Sequence, residues 1–226
     1  MNSKELQLII KCGETSTVQF KECFPNQDSI AAEMVAMSNA RGGMILFGIK
    51  DKTGEIIGLS YQEIQQLNSI LANIATNLLR PVIYIQTETV IVDERSLLIA
   101  HIAEGDNKPY KDLNGIIWTK QGEDKRKVME NSEIMRLFQC SGILYADEQP
   151  IPFTSEKDIN GYALDNFIRK EYGREKDSFG ILYTELLHNL HIMKEDRMTL
   201  AGLLFFGKDP QQYRPTFVIK AVSFFW

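Results

Sequence analysis

Six cations crowd into residues 108–127: Lys108, Lys111, Lys120, Lys125, Arg126 and Lys127, against Asp112, Glu123 and Asp124, a local net charge of +3. Such a strip can track a phosphodiester backbone. Tyr110 and Trp118 lie within it and are the candidates to stack on bases; the competing reading is a solvated face with two core aromatics. A second group is Arg41-Gly42-Gly43. Bare backbone at the glycines would admit a phosphate or a neighbouring subunit, with Arg41 supplying charge, whereas the plainer reading has Asn39 and the glycines end a helix. Lys21 is either a surface lysine or a phosphate contact.

The whole chain, at net charge -5, is less suggestive, and 44% hydrophobic with 24% charged residues is ordinary globular composition. No G-x4-G-K-[ST], G-x-S-x-G or Rossmann glycine pattern occurs, so phosphoryl transfer, acyl transfer and dinucleotide chemistry lack support. No cofactor is expected of these residues. His188-x2-His191 lacks a third ligand and His101 stands apart, which favours structural histidines. Cys12, Cys23 and Cys140 are an odd number without C-x-x-C spacing, as expected of free thiols in a reducing compartment. The charged N-terminus is no signal peptide and no apolar run spans a bilayer, so a cytoplasmic setting without membrane partners is expected.

The elements that would position these groups follow from periodicity and breakers. Residues 3–12 read as a helix ended by Gly13, and 17–21 as a strand. Asp28 is placed to cap a helix to about residue 40, with Ile30, Met34 and Met37 facing the core. Met44 to Ile49 reads as a central strand covered on both faces. The Asp51–Gly54 turn leads into a hairpin strand over 55–59. Ile64, Leu67, Leu71, Ile74 and Leu78 mark a long helix stopped at Pro81. Strands are expected over 82–89, 96–102 and 115–120, and a helix over 132–140. The fold class is therefore α+β, a mixed or antiparallel sheet flanked by helices, followed by a smaller helical and strand segment. Domain boundaries are expected at 1–142, with a linker over 143–156 carrying Pro150 and Pro152, and a further region over 157–226. That region reads as helices at 158–172 and 181–190, a Thr199-capped turn or helix, and a strand at 216–226. An apolar strand at the very end suggests truncation.

Glu14-x4-Gln19-Phe20-Lys21-Glu22, Ser38-Asn39-Ala40-Arg41-Gly42-Gly43, and Phe47-Gly48-Ile49-Lys50-Asp51-x2-Gly54-x3-Gly58 occur in that order. This ordered set resembles the Schlafen AlbA-type domain, also described as a divergent AAA DNA-binding domain. Lys108-Pro109-Tyr110 and Trp118-Thr119-Lys120-Gln121-Gly122 extend the likeness to residues 8–140. The remainder is similar to the segment C-terminal to this domain in bacterial transcriptional regulators, where it leads toward an ATPase-like region. ATP belongs to that further region.

The resemblance implies a DNA-binding domain of a transcriptional regulator, with the basic strip and the Gly-Gly turn as contact surface and DNA favoured over RNA. It also implies a rival, since some Schlafen proteins are metal-dependent ribonucleases with three carboxylates. The matching positions are Glu14, Gln19 and Asp51. A neutral amide at Gln19 removes one anionic oxygen ligand for Mg²⁺ or Mn²⁺, with Glu22 or Glu33 as potential substitutes; the plain reading of Glu14 and Asp51 is a helix-end charge and a turn residue. The other rival is a subunit-assembly module forming homo-oligomers.

Overall fold

The computed structural model describes residues 1–23, 26–51, 53–218 and 222–223. The chain is α+β and divides into two units, Met1–Leu144 and Tyr145–Trp226.

In the first unit, α1 (Ser3–Cys12) starts at a capping box made by Asn2 and Glu5 and stops at Gly13. Strand β1 (Val18–Lys21) leads to α2 (Gln27–Asn39) and then β2 (Gly43–Phe47). The cap of α2 is Asn26, whose side chain accepts from the Ser29 amide at 2.7 Å, so Asp28 lies one residue inside the helix. Helix α3 (Tyr61–Asn73) runs into a π-turn at Ile74–Leu78 and the short β3 (Leu79–Arg80). Then come β4 (Ile85–Val92), β5 (Arg95–Ile102), β6 (Lys111–Asp112), the hairpin β7 (Trp118–Gln121) with β8 (Asp124–Lys127), and α4 (Asn131–Cys140).

The main sheet has the order β1-β2-β5-β4, parallel between β1 and β2 and antiparallel elsewhere. Its central strands are apolar on both faces because both faces are covered. Ile45, Phe47, Leu98, Ala100 and Ile102 join the core built with α2 and α3. Leu46, Leu97 and Ile99 point the other way, into a core with Leu6 and Ile10 of α1 and Phe20 of β1.

The strand expected over 55–59 is reduced to an isolated bridge, Ile49 to Ile56. The amides of Ile57 and Gly58 both converge on the Gly48 carbonyl, and Leu59 then bonds to Ser96, which carries the segment away from a ladder.

In the second unit, α5 (Gly161–Tyr172), α6 (Tyr183–Asn189), the hairpin β9 (Met193–Lys194) and β10 (Arg197–Met198), α7 (Leu200–Phe206) and α8 (Pro210–Tyr213) surround a separate core that includes Leu164, Ile168, Leu187 and Leu203. Ile151, within the stretch expected to link the units, is buried in that core. Thr199 caps α7 by accepting from the Gly202 amide at 2.9 Å. Of the strand expected at 216–226, residues 219–221 and 224–226 lie outside the described residues, and 216–218 form no strand.

Candidate nucleic-acid interface

A cavity of about 890 Å³ opens between the end of α1, strand β1, helix α2 and the β7–β8 hairpin. It gathers Glu14, Gln19, Lys21, Glu33, Asp51, Trp118 and Lys125, residues far apart in the chain. Topology explains the meeting. Parallel β1 and β2 put Lys21 opposite Phe47, so the turn after β2 delivers Asp51 beside Lys21. Helix α2 connects these strands, and the hairpin lies across its remaining side, which is why residues 30–39 are nearly all buried.

Glu14, Asp51 and Glu33 are each matched by the chain itself, while Glu123 and Asp124 of the hairpin also line the cavity. Glu14 accepts through one oxygen, Oε1, from the Phe20 amide at 2.8 Å and from the Gln19 side-chain amide. Lys21 donates to Asp51 at 2.6 Å, and the Glu22 amide donates to the other Asp51 oxygen at 3.2 Å. Glu33 is 3% exposed at its side chain and binds two lysines, Lys120 at 2.7 Å through Oε1 and Lys125 at 3.0 Å through Oε2. Those lysines are direct cross-strand partners in the hairpin. Like charges so placed repel, and the single buried carboxylate between them removes the repulsion.

The six cations of the 108–127 segment are therefore not one solvent-facing strip. Lys108 is 6% exposed and donates to Glu104 at 2.5 Å and to the Ala40 carbonyl at 3.0 Å. Lys120 is buried in the ion cluster, with its side chain 2% exposed. Arg126 turns to the opposite hairpin face and is held by Glu133 of α4 at 2.5 and 3.0 Å, a hydrogen bond that raises the Arg126 pKa above its ordinary value. Lys111 and Lys127 remain exposed, and Lys125 reaches solvent partway. Lys127 sits 5.5 Å from the centre of the Trp118 ring.

The two aromatics separate. Tyr110 belongs to the core, whereas Trp118 is half-buried on the cavity wall, its indole N–H donating to Asp112 at 2.9 Å. Asn39 stands at the end of α2, as expected, and from there also clamps the segment that carries both. Its side chain donates to the carbonyls of Tyr110 at 2.9 Å and Trp118 at 2.8 Å and accepts from the Tyr110 amide at 2.7 Å. Arg41 is exposed, but the room beside Gly42 and Gly43 is taken by the chain's own backbone. Gly42 has φ +72°, and a Cβ there would lie 2.7 Å from the Glu104 nitrogen; one on Gly43 would lie 2.5 Å from the Thr17 carbonyl oxygen. The close approach these glycines permit is that of neighbouring strands and loops.

Glu33 and Asn39 are the positioning residues that spacing alone undervalued. The available signal was a carboxylate and an amide in a stretch, residues 30–39, otherwise made of Ile, Ala, Met, Val and a single Ser.

A divalent cation of the kind a ribonuclease would use needs several hard, anionic oxygens free to converge. The donor set does not fit. Gln19 is neutral, Asp51 is paired with Lys21, Glu33 is held between two lysines, and Glu22 brings only its backbone amide to Asp51. Among the described residues no three His, Cys, Asp or Glu side chains cluster suitably for a metal ion. No helix among them is long and apolar enough to cross a membrane.

The family described as Schlafen, AlbA_2 matches residues 14–130, the segment that builds most of this cavity. An uncharacterized ATP-binding protein of Ureaplasma parvum is 29% identical over 198 residues, covering 84% of this chain and 46% of that protein. The chain thus spans less than half the length of that relative. Among solved structures, the DIP2311 protein of Corynebacterium diphtheriae aligns with 90% of this chain and 44% of its own, at 22% identity and a TM-score of 0.46. The N-terminal domain of a RecG-related protein from Nitrosomonas europaea aligns with 58% of this chain and 96% of its own, at 18% identity and a TM-score of 0.40.

Proposed function

This chain belongs to the Schlafen AlbA_2 family, and on that premise we propose that its first unit is a nucleic-acid-binding domain, with DNA favoured over RNA, serving a transcriptional regulator. The observation that carries this reading is the inner face of the β7–β8 hairpin. Trp118, Lys125 and Lys127 project from that face, and Trp118 and Lys125 line the wall of the 890 Å³ cavity. A half-buried indole flanked by ammonium groups offers a base a stacking surface, worth about 1–3 kcal/mol per base, while the lysines take the adjoining phosphates. Lys111 adds a cation from the neighbouring β6. The contact surface is thus shifted from the Gly-Gly turn, where backbone fills the space, to the hairpin and cavity.

With three cations able to meet phosphate, the logarithm of the association constant should fall against the logarithm of salt with a slope of about −2 to −3. ATP, for which the Ureaplasma relative is named, we assign to parts of such proteins outside the matched residues, because this chain has no G-x4-G-K-[ST] phosphate loop.

Fluorescence anisotropy with labelled duplex DNA, single-stranded DNA and structured RNA over a salt series tests the reading. Salt-dependent binding that weakens in Trp118→Ala is expected. Absence of binding to all three probes would refute it, and a stable dimer without nucleic-acid affinity would favour an assembly role.

A further inference from the structure

A chain of contacts beside the cavity runs from Glu14 to Gln19 to Lys120 to Glu33 to Lys125, all but Lys120 lining it. Its centre is the Lys120 ammonium. That group has three N–H donors and three acceptors within reach: Gln19 Oε1 at 3.1 Å, Glu33 Oε1 at 2.7 Å and the Glu123 carbonyl at 2.6 Å. Its side chain is 2% exposed. A cation is therefore already resident among the carboxylates, and its hydrogen-bonding capacity is filled.

Gln19 is the member whose chemistry has no substitute. An amide can donate through nitrogen and accept through oxygen, and here Nε2 donates to Glu14 while Oε1 accepts from Lys120. A carboxylate at the same place could only accept. It would face the Glu14 carboxylate at contact distance, and Lys120 is already shared with Glu33. Two carboxylates so placed either share a proton or recruit a cation.

We propose that Lys120, buried beside this cavity, is the built-in cation of its carboxylate cluster, coupled to Glu14 by the Gln19 amide, so that Lys125 and Lys127 meet a polyanionic ligand without a bridging divalent metal ion. The choice between the two kinds of site rests on one atom pair, the amide nitrogen of Gln19 against Glu14 Oε1. The proposal rests on the nucleic-acid reading only for the identity of the ligand; its cation arm is tested separately.

Mn²⁺ is titrated by calorimetry, with free Mn²⁺ followed by electron paramagnetic resonance and melting followed by circular dichroism, on the wild type, Gln19→Glu, and Gln19→Glu with Glu14→Gln. The wild type should show no stoichiometric uptake and no shift in melting. Gln19→Glu should melt lower in metal-free buffer, take up one Mn²⁺ per chain, and regain melting temperature as Mn²⁺ rises, as mass action requires. The added Glu14→Gln change should abolish that uptake. A stoichiometric Mn²⁺ site in the wild type that Glu14→Gln removes would overturn the proposal. So would a Gln19→Glu chain that is folded yet takes up no Mn²⁺, or one that stays unfolded with Mn²⁺ present, because the cation is expected to restore the pair. In parallel, wild-type anisotropy with labelled DNA should be the same in EDTA as in Mn²⁺, and loss of binding in EDTA would count against a resident cation. Failure to bind DNA under both conditions would remove the nucleic-acid reading and leave the Mn²⁺ result to stand or fall alone.

Discussion

Replacing Glu33 by Gln removes one charge from the centre of the hairpin–helix contact while keeping the side chain's shape. Lys120 then keeps the Gln19 oxygen and the Glu123 carbonyl but loses its only counter-charge within 4 Å among the described residues. The Glu33 and Lys120 side chains are 3% and 2% exposed, so solvent cannot replace what is lost. Breaking one partner of a pair buried to this degree costs about 3–5 kcal/mol. Lys125, with its side chain 25% exposed, relaxes into water and adds little. At roughly 3 °C per kcal/mol for a unit of this size, the melting temperature should fall by about 9–15 °C. Urea unfolding followed by circular dichroism gives the free energy directly. A companion with Glu33→Met and Lys120→Met should recover most of the loss, since an apolar replacement of a whole buried pair is often neutral or stabilising. A fall of less than about 3 °C in Glu33→Gln would refute the idea that this carboxylate holds the hairpin. A double variant as unstable as the single one would assign the effect to packing instead.

Asn39→Ala should cost about 2–4 kcal/mol in urea unfolding, because three hydrogen bonds to the Tyr110 and Trp118 backbone are lost and their buried partners are left unpaired. Gly43→Ala should lower stability by about 1–3 kcal/mol, since its Cβ would meet the Thr17 carbonyl at 2.5 Å and force β1 away from β2. Glu88 accepts from the Met1 ammonium at 2.9 Å and bonds His101 at 2.8 Å, contacts that hold its carboxyl below the ordinary range. A depressed folded-state value gives stability that is full above the unfolded value of about 4.3 and is lost as pH falls through the lower folded value. The stability gap between wild type and Glu88→Gln, measured by urea unfolding from pH 3 to pH 7, should therefore be largest at neutral pH and close in acid; a gap unchanged by pH would contradict the pairing.

The main sheet was legible because its signals are local and strong. Met44 to Ile49 is apolar on both faces, and the structure covers both faces of β2. The stripe from Ile64 to Leu78 and the break at Gly13 likewise follow from backbone and burial rules. The β8 strand was not legible. Asp124-Lys125-Arg126-Lys127 has no strand propensity and is a strand only because it pairs with β7 over helix α2. The charges of the 108–127 segment misled for the same reason. A count treats every lysine as free, while Lys108 and Lys120 are spent on Glu104 and Glu33, partners that only the fold brings near. Conversely, Glu33 could be seen as an anomaly in a buried helix, but nothing in the spacing revealed that its two partners stand across a hairpin.

The most direct test of the nucleic-acid assignment is the salt dependence of DNA affinity in the wild type against Lys127→Gln. Lys127 is exposed, its ammonium stands over the Trp118 ring, and the described residues give it no ion pair, so its removal should leave the fold intact. Weaker binding and a salt slope smaller by about 1 are expected. An unchanged slope, or affinity with no salt dependence in the wild type, would contradict it.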